Sequence, residues 1–271
     1  FRALNATPFI LMIDGLEDVD FAEDLIAQRE EKAFNKIAAE TGENWIWMNE
    51  WDRCGVSWGQ AGKKHNVYRL TDLELNQLRE LLEKASQAAS GGNMQPWRVT
   101  AVGGQALKDL CAKARQTEAV QRPGLSYPPG LWEPYRSRRF ENGEDLYRSL
   151  NIGREDKAAR LAQLAKNGQM FGAPVGIFVA VEERMGYAQW VDLGIYLQSF
   201  MLLAVEHGLA TCAQGFWRRY DSVIQQHIQV PEGYLVAFGI ALGYEDVSAP
   251  INQWRASRAD SHEWLVLQGL D

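Results

Sequence analysis

The sequence predicts an α+β fold, and three observations carry that reading. Leu75, Leu78, Leu81, Leu82 and Ala85 recur at the spacing of one helix face. The run "APVGIFVAVEE" (173–183) is almost continuously apolar and of strand length, the pattern of a central strand covered on both faces. The stretch "WVDLGIYLQSFMLLAVEHGL" (190–209) is apolar nearly all round, so it predicts a long helix buried inside the molecule.

Taken in order, residues 1–62 differ in texture from the rest. They are acidic over "DGLEDVDFAEDLIAQREEKAFNKIAAETG" and then dense in tryptophan over "NWIWMNEWDRCGVSWG". Leu16, Val19, Leu25, Ile26, Ala33, Phe34 and Ile37 mark one face of a helix across 17–39, and Trp45, Trp47, Trp51 and Trp58 are expected in packing or dimer contacts. This stretch reads as an N-terminal extension, and 63–271 as the main domain. Thr71 or Asp72 can cap the leucine-bearing helix, which ends before Gly91 and Gly92. "WRVTAVGG" then alternates as a strand, and "QALKDLCAKARQ" reads as a helix. Residues from about 121 to 153, rich in Pro, Gly, Tyr and Arg, are too long for a routine connection and predict a lid or a mobile excursion. A helix at about 154–168, the central strand and the buried helix follow, the last closed by Gly208 as a C-cap. "ATCAQGFW" and "LVAFGIALGY" supply strand-and-loop elements around a short helix in "RYDSVIQQHIQ".

Composition narrows the function. A net charge of −7, with no basic cluster beyond Arg136, Arg138 and Arg139, argues against nucleic acid as the main partner. Cys54, Cys111 and Cys212 are odd in number and far apart, which supports neither a disulfide framework nor a zinc site. His65, His207, His227 and His262 are scattered without ligand spacing, so no metal is expected. A reducing cytoplasm is the expected compartment. No membrane association is expected, since no apolar run reaches the roughly 18 residues of a spanning helix.

The stretch "SGGNMQPWRV" (90–99) is the most unusual. Gly91 and Gly92 allow backbone to approach a ligand closely, Asn93 and Gln95 offer paired donors and acceptors, and Pro96 stops the preceding helix. The residues alone allow either a turn or a polar cradle beside an aromatic wall. Together with "FGAPVGIFVAV", "QWVDLGIYLQSFMLLAVEHGLATCAQ" and "ALGYEDVSAPINQWRASR", in this order and spacing from about Thr71 onward, it resembles the nitroreductase family of FMN-dependent oxidoreductases. The insert "LWEPYRSRRFENGEDLYRSLNIGREDKAAR" is similar to that of the nitrobenzoate-type subgroup.

That resemblance implies a nitroreductase-like fold with a central, mostly antiparallel sheet flanked by helices. It further implies an intertwined homodimer with C-terminal arm exchange from about Pro250, the helix 189–206 at its interface, and two FMN sites each built from both chains. It places Ser90, Gly91, Asn93 and Gln95 along the flavin, Ala213, Gln214 and Gly215 beside the ring's N5 and O4 edge, and Arg255 and Arg258 at the phosphate. Guanidinium forks suit a phosphate, donating bidentately to its oxygens. The family's Arg-x-Ser-x-Arg or Arg-x-Ser-x-Lys opening motif is replaced here by "GKKHNVYRL". Lys63 or Lys64 then stands for the first arginine and Asn66 for the later basic residue, giving the phosphate a less directional hold. Trp132, Tyr135, Arg136, Arg139 and Phe140 fall in the family's variable lid, where arginines can pair with a substrate carboxylate while an aromatic ring stacks; a surface arm is the alternative.

The activity so implied is ping-pong reduction of a nitroaromatic, quinone or similar small aromatic acceptor by NADH or NADPH through bound FMN, with no catalytic side chain demanded. The same scaffold hosts flavin-dependent dehydrogenation and dehalogenation, and a non-catalytic flavin-binding or interaction protein is the third reading.

Overall fold

Of the 271 residues, the computed structural model describes 68–69, 75–120 and 127–269. The acidic, tryptophan-rich stretch 1–62 and the candidate phosphate residues Lys63, Lys64 and Asn66 lie outside the described residues.

Among the described residues five strands form one sheet: β1 (Tyr68–Arg69), β2 (Arg98–Gly103), β3 (Val175–Glu182), β4 (Ala210–Gln214) and β5 (Tyr234–Glu245). Every pairing is antiparallel, and β5 joins β1, β3 and β4 while β3 lies between β5 and β2. The apolar run predicted as a central strand is β3, whose residues are buried except Glu182. Successive side chains of a strand point to opposite faces. Phe178 thus enters one core with Leu107, Leu110, Met170, Trp217 and Ile224, while Ile177 and Val179 enter a second with Leu81, Tyr196, Phe200 and Ile240.

Seven helices are described: α1 (Leu75–Ala85), α2 (Gly104–Gln116), α3 (Tyr135–Ser149), α4 (Lys157–Ala165), α5 (Tyr187–Glu206), α6 (Asp221–His227) and the single turn α7 (Pro250–Gln253). α1 and α5 cover the second core, and α2 and α6 close the first. Gly208 ends α5 at φ +71°, with the Leu209 N–H donating to the Ala204 carbonyl as in a C-cap.

Two expectations need correction. Within the excursion 121–153, for which the sequence predicts no helix, lies the 15-residue helix α3. No residue of α3 is buried, so the apolar stripe that betrays a helix is missing. Polar contacts hold it instead: Arg136 pairs with Glu133, Arg148 with Asp145, and Arg160 of α4 with Glu144. The second correction concerns α5, which is apolar nearly all round yet is buried on one side only in this chain. Asp192, Leu193, Tyr196, Phe200, Met201 and Ala204 face inward, whereas Tyr187, Val191 and Ile195 are exposed. α5 is long and apolar enough to cross a membrane by length and composition, but its inward stripe is part of the core.

Candidate active site

Because an α-helix repeats every 3.6 residues, α5 divides into three faces. Gln189, Asp192 and Tyr196 meet the cradle, Trp190, Leu193, Gly194 and Leu197 line a cavity, and Tyr187, Val191 and Ile195 are open.

The cradle is a 3-10 turn, Gly91–Asn93, entered from extended Ser90. Gly92, Asn93 and Gln95 have φ of 58°, 56° and 47°. Two of these left-handed residues are not glycine, and such conformations cost about 1–3 kcal/mol each, so they persist only where the surroundings impose them. The loop is closed internally: Asn93 N–H donates to the Ser90 carbonyl at 2.9 Å, Gln95 N–H to Ser90 Oγ at 3.0 Å, and Gln95 Nε2 to Asn93 Oδ1 at 3.1 Å. Both carboxamides are exposed and pre-arranged by one another. The loop is fixed to the body by Gly91 N–H donating to Asp192 Oδ1 at 3.1 Å and by Trp97 stacking on Tyr196 at 5.2 Å.

The cavity, of about 1080 Å³, lies beyond the end of β4. Ala213, Gln214 and Gly215 form part of its wall, opposite Leu193, Gly194 and Leu197 of α5. Tyr127, Tyr147, Trp190 and Phe216 give it aromatic sides, and Arg139, Arg218 and Arg219 give it charge, with no carboxylate among its described lining. The arginines also carry ring contacts, Arg139 4.4 Å from the Tyr127 centroid and Arg218 5.2 Å from that of Trp190. In a chain whose net charge is −7, arginines in the lining place positive charge where an anionic aromatic can enter.

Gln214 is part of this wall. Its side chain is buried, Nε2 donating to the Asn167 carbonyl at 2.9 Å and Oε1 accepting from Trp217 Nε1 at 3.4 Å. Trp217 is fully buried against Phe178 and lies where a Cβ on Gly239 would overlap it.

Of the predicted residues, Ala213, Gln214, Gly215 and Arg139 share this cavity. Ser90, Gly91, Asn93 and Gln95 share the cradle on another face of α5. Trp132, Tyr135, Arg136 and Phe140 are exposed on α3 and its approach and do not line the cavity. Arg136 is paired with Glu133 at 2.6 Å, and Phe140 faces a shallow recess with Glu144, Arg148 and Arg154. Arg255 and Arg258 are exposed on the C-terminal segment, Arg258 folding back on the carbonyls of Ala256 and Ser257. Sequence reasoning missed Tyr127, Trp190, Arg218, Arg219 and Asp192. The run "GFWRRY" after the Cys-Ala-Gln segment was the available signal for Arg218 and Arg219.

Comparison with known proteins places this geometry. The sequence model of the nitroreductase family matches residues 67–244. The chain belongs to the nitroreductase family. It is an oxidoreductase. Among nitroreductases it is similar to the nitrobenzene nitroreductase of Ectopseudomonas oleovorans, 30% identical over 199 residues that make up 72% of this chain and 88% of that protein. It is also similar to the 4-nitrobenzoate reductase of Nocardioides sp. (strain LMS-CY), 34% identical over 193 residues, 69% of this chain and 76% of the relative. The crystal structure of the FMN and NADPH-dependent nitroreductase NfnB from Sphigopyxis sp. strain HMH superposes with a TM-score of 0.73 at 37% identity, covering 79% of this chain and 99% of that one. The family match thus spans the cradle and the cavity and leaves residues 1–66 and 245–271 outside it.

Proposed function

We propose that this chain is an FMN-dependent NAD(P)H oxidoreductase that reduces nitroaromatic acceptors, with quinones as related acceptors, and that its preferred acceptor carries a negative charge. The observation that carries the reading is the cavity: Ala213–Gly215 in its wall, aromatic sides, and Arg139, Arg218 and Arg219 in its lining. The relatives support it, since one is a nitrobenzene nitroreductase and another a 4-nitrobenzoate reductase.

The residues present fit FMN. The cradle offers Ser90, the exposed carboxamides of Asn93 and Gln95, and backbone without side chains at Gly91 and Gly92, which suit a polyhydroxylated chain and the alternating donors and acceptors of a flavin ring. Ala213–Gly215 would lie along the ring, and Arg255 and Arg258 would meet the phosphate, joined by Lys63, Lys64 and Asn66. When bound, FMN supplies the redox chemistry, taking a hydride from NAD(P)H and passing electrons to the acceptor in alternate half-reactions. The chain's own contribution is binding, orientation and the exclusion of water.

Cradle and cavity open on different faces of α5, so one chain does not enclose a ligand that touches both. We infer that the working unit is a homodimer in which the cradle of one protomer meets the cavity of its partner. The exposed apolar face Tyr187, Val191, Ile195 and the exposed Trp264, Leu265, Val266 and Leu267 of the C-terminal segment support this. The FMN-binding unit is 63–271, with 1–62 as an extension.

The test uses the full chain: FMN titration followed by flavin fluorescence, then NADPH oxidation with 4-nitrobenzoate or nitrobenzene as acceptor. Saturable binding and acceptor-dependent turnover, with a lower KM for the anionic acceptor, are expected. A chain that neither binds FMN nor oxidises NADPH defeats the reading.

A further inference from the structure

Asp192 is the one charged residue on the inward stripe of α5, only 5% exposed. One carboxylate oxygen, Oδ1, accepts from Gly91 N–H at 3.1 Å, and the other, Oδ2, is buried without a hydrogen-bond partner. A Cβ built on Gly91 would lie 4.0 Å from Oδ2, so both oxygens are turned toward the cradle. Burying a carboxylate with half of its acceptors empty works against folding, and no ion pair among the described residues compensates it. Such a residue is explained by what it does for the loop.

The hydrogen bonds inside the loop set its shape but not its place on the body. Among the described residues two side-chain hydrogen bonds tie it to α5: Gly91 to Asp192, and Gln189 Nε2 to Met94 Sδ at 3.6 Å, a thioether and therefore a weak acceptor. At the far end Trp97 stacks on Tyr196. Asp192 and Tyr196 are four residues apart and so stand one above the other on the same helix face. One face of α5 thereby grips both ends of the segment Gly92–Gln95, three of whose four residues are left-handed.

We propose that Asp192 is a positioning residue for ligand binding at the cradle: through the Gly91 amide it holds the strained Gly92–Gln95 segment, and with it the Asn93 and Gln95 carboxamides, in the shape that receives the ligand. Its effect on the ligand rests on the FMN reading above; its effect on the loop does not.

The test compares wild type, D192A and D192N as full chains. Hydrogen exchange of the segment 90–95 is measured without ligand, FMN affinity by fluorescence titration, and Tm by calorimetry. D192A is expected to speed exchange of the segment and to weaken FMN about tenfold, the effect of losing one hydrogen bond to a charged group. Its Tm should be unchanged or higher, because an unpaired buried carboxylate has gone. D192N, whose amide oxygen still accepts from Gly91 N–H, should stay within about threefold of wild type on both loop and ligand. Unchanged exchange in D192A overturns the proposal, as does a lower Tm with FMN affinity falling equally in D192A and D192N, the mark of a purely structural residue. If D192A does not fold, G91P removes the donor from the other side; Ser90 at ψ 145° and the first position of a 3-10 turn accommodate a proline there. G91P should then speed exchange of the remaining amides as D192A would, and unchanged exchange overturns the proposal. If wild type binds no FMN, the FMN reading fails while the exchange comparison still decides the tether.

Discussion

The guanidinium of Arg139 lies 4.4 Å from the centroid of the Tyr127 ring, and both residues line the cavity. Arg139 belongs to α3, a helix without an apolar stripe, and with Tyr147 it brings that helix to the candidate site. The ring contact leaves the charge unpaired by carboxylates in the described lining and available to an anionic acceptor. R139Q should raise KM for 4-nitrobenzoate about tenfold while changing that for nitrobenzene less than about twofold, as expected for the loss of one charge-assisted bond. Steady-state kinetics with both acceptors check this.

Gly239 of β5 and Trp217 form a second dependent pair. Trp217 is fully buried, and a Cβ at position 239 would overlap its Cδ1. G239A should cost about 1–3 kcal/mol by overpacking. Because Trp217 Nε1 donates to Gln214 Oε1, the displacement should also reach the cavity wall and weaken acceptor binding. Denaturant unfolding and KM measured on the same variant test the two effects together.

The excursion should respond to acid. Glu144 of α3 receives Arg160 Nη1 at 2.6 Å and Nη2 at 3.0 Å, and this pairing holds its carboxyl below the ordinary carboxylate range. A folded-state pKa below the unfolded one means that the contribution is fully present above the unfolded value and is lost as pH falls through the folded one. Limited proteolysis between α3 and α4 should therefore be flat around neutrality and accelerate in acid. E144Q should show the faster rate already at neutral pH and a weaker acid dependence.

Burial pushes the Cys111 thiol up to about 11, against an opposing pull from Arg115. The thiol is thus protonated and poorly nucleophilic at neutral pH. Peptide mapping after iodoacetamide should find Cys111 unmodified in the native protein and modified once it unfolds. Rapid native labelling would contradict the packing of α2 in the first core.

Much of the fold was legible because its signals are strong ones. β3 reads directly from an unbroken apolar run, α1 from five residues on one face, and the end of α5 from Gly208. α3 was not legible, since ion pairs such as Arg160–Glu144 leave no periodic trace. The exposure of Val191 and Ile195 was hidden for the opposite reason: an all-round apolar helix does not say which of its faces its own chain covers. Among site residues, Ala213–Gly215 and the cradle stood out as runs of small and amide residues. Asp192 did not, because a single acid in an apolar helix acquires meaning only when the fold sets Gly91 against it.

The most direct test of the account is an anaerobic absorbance titration of the full chain, reconstituted with FMN, with NADPH and then with a stoichiometric nitroaromatic. The account predicts that the visible flavin band bleaches on NADPH and returns when 4-nitrobenzoate is added. A protein-bound flavin that NADPH leaves oxidised, or a protein that retains no flavin through gel filtration, would contradict it.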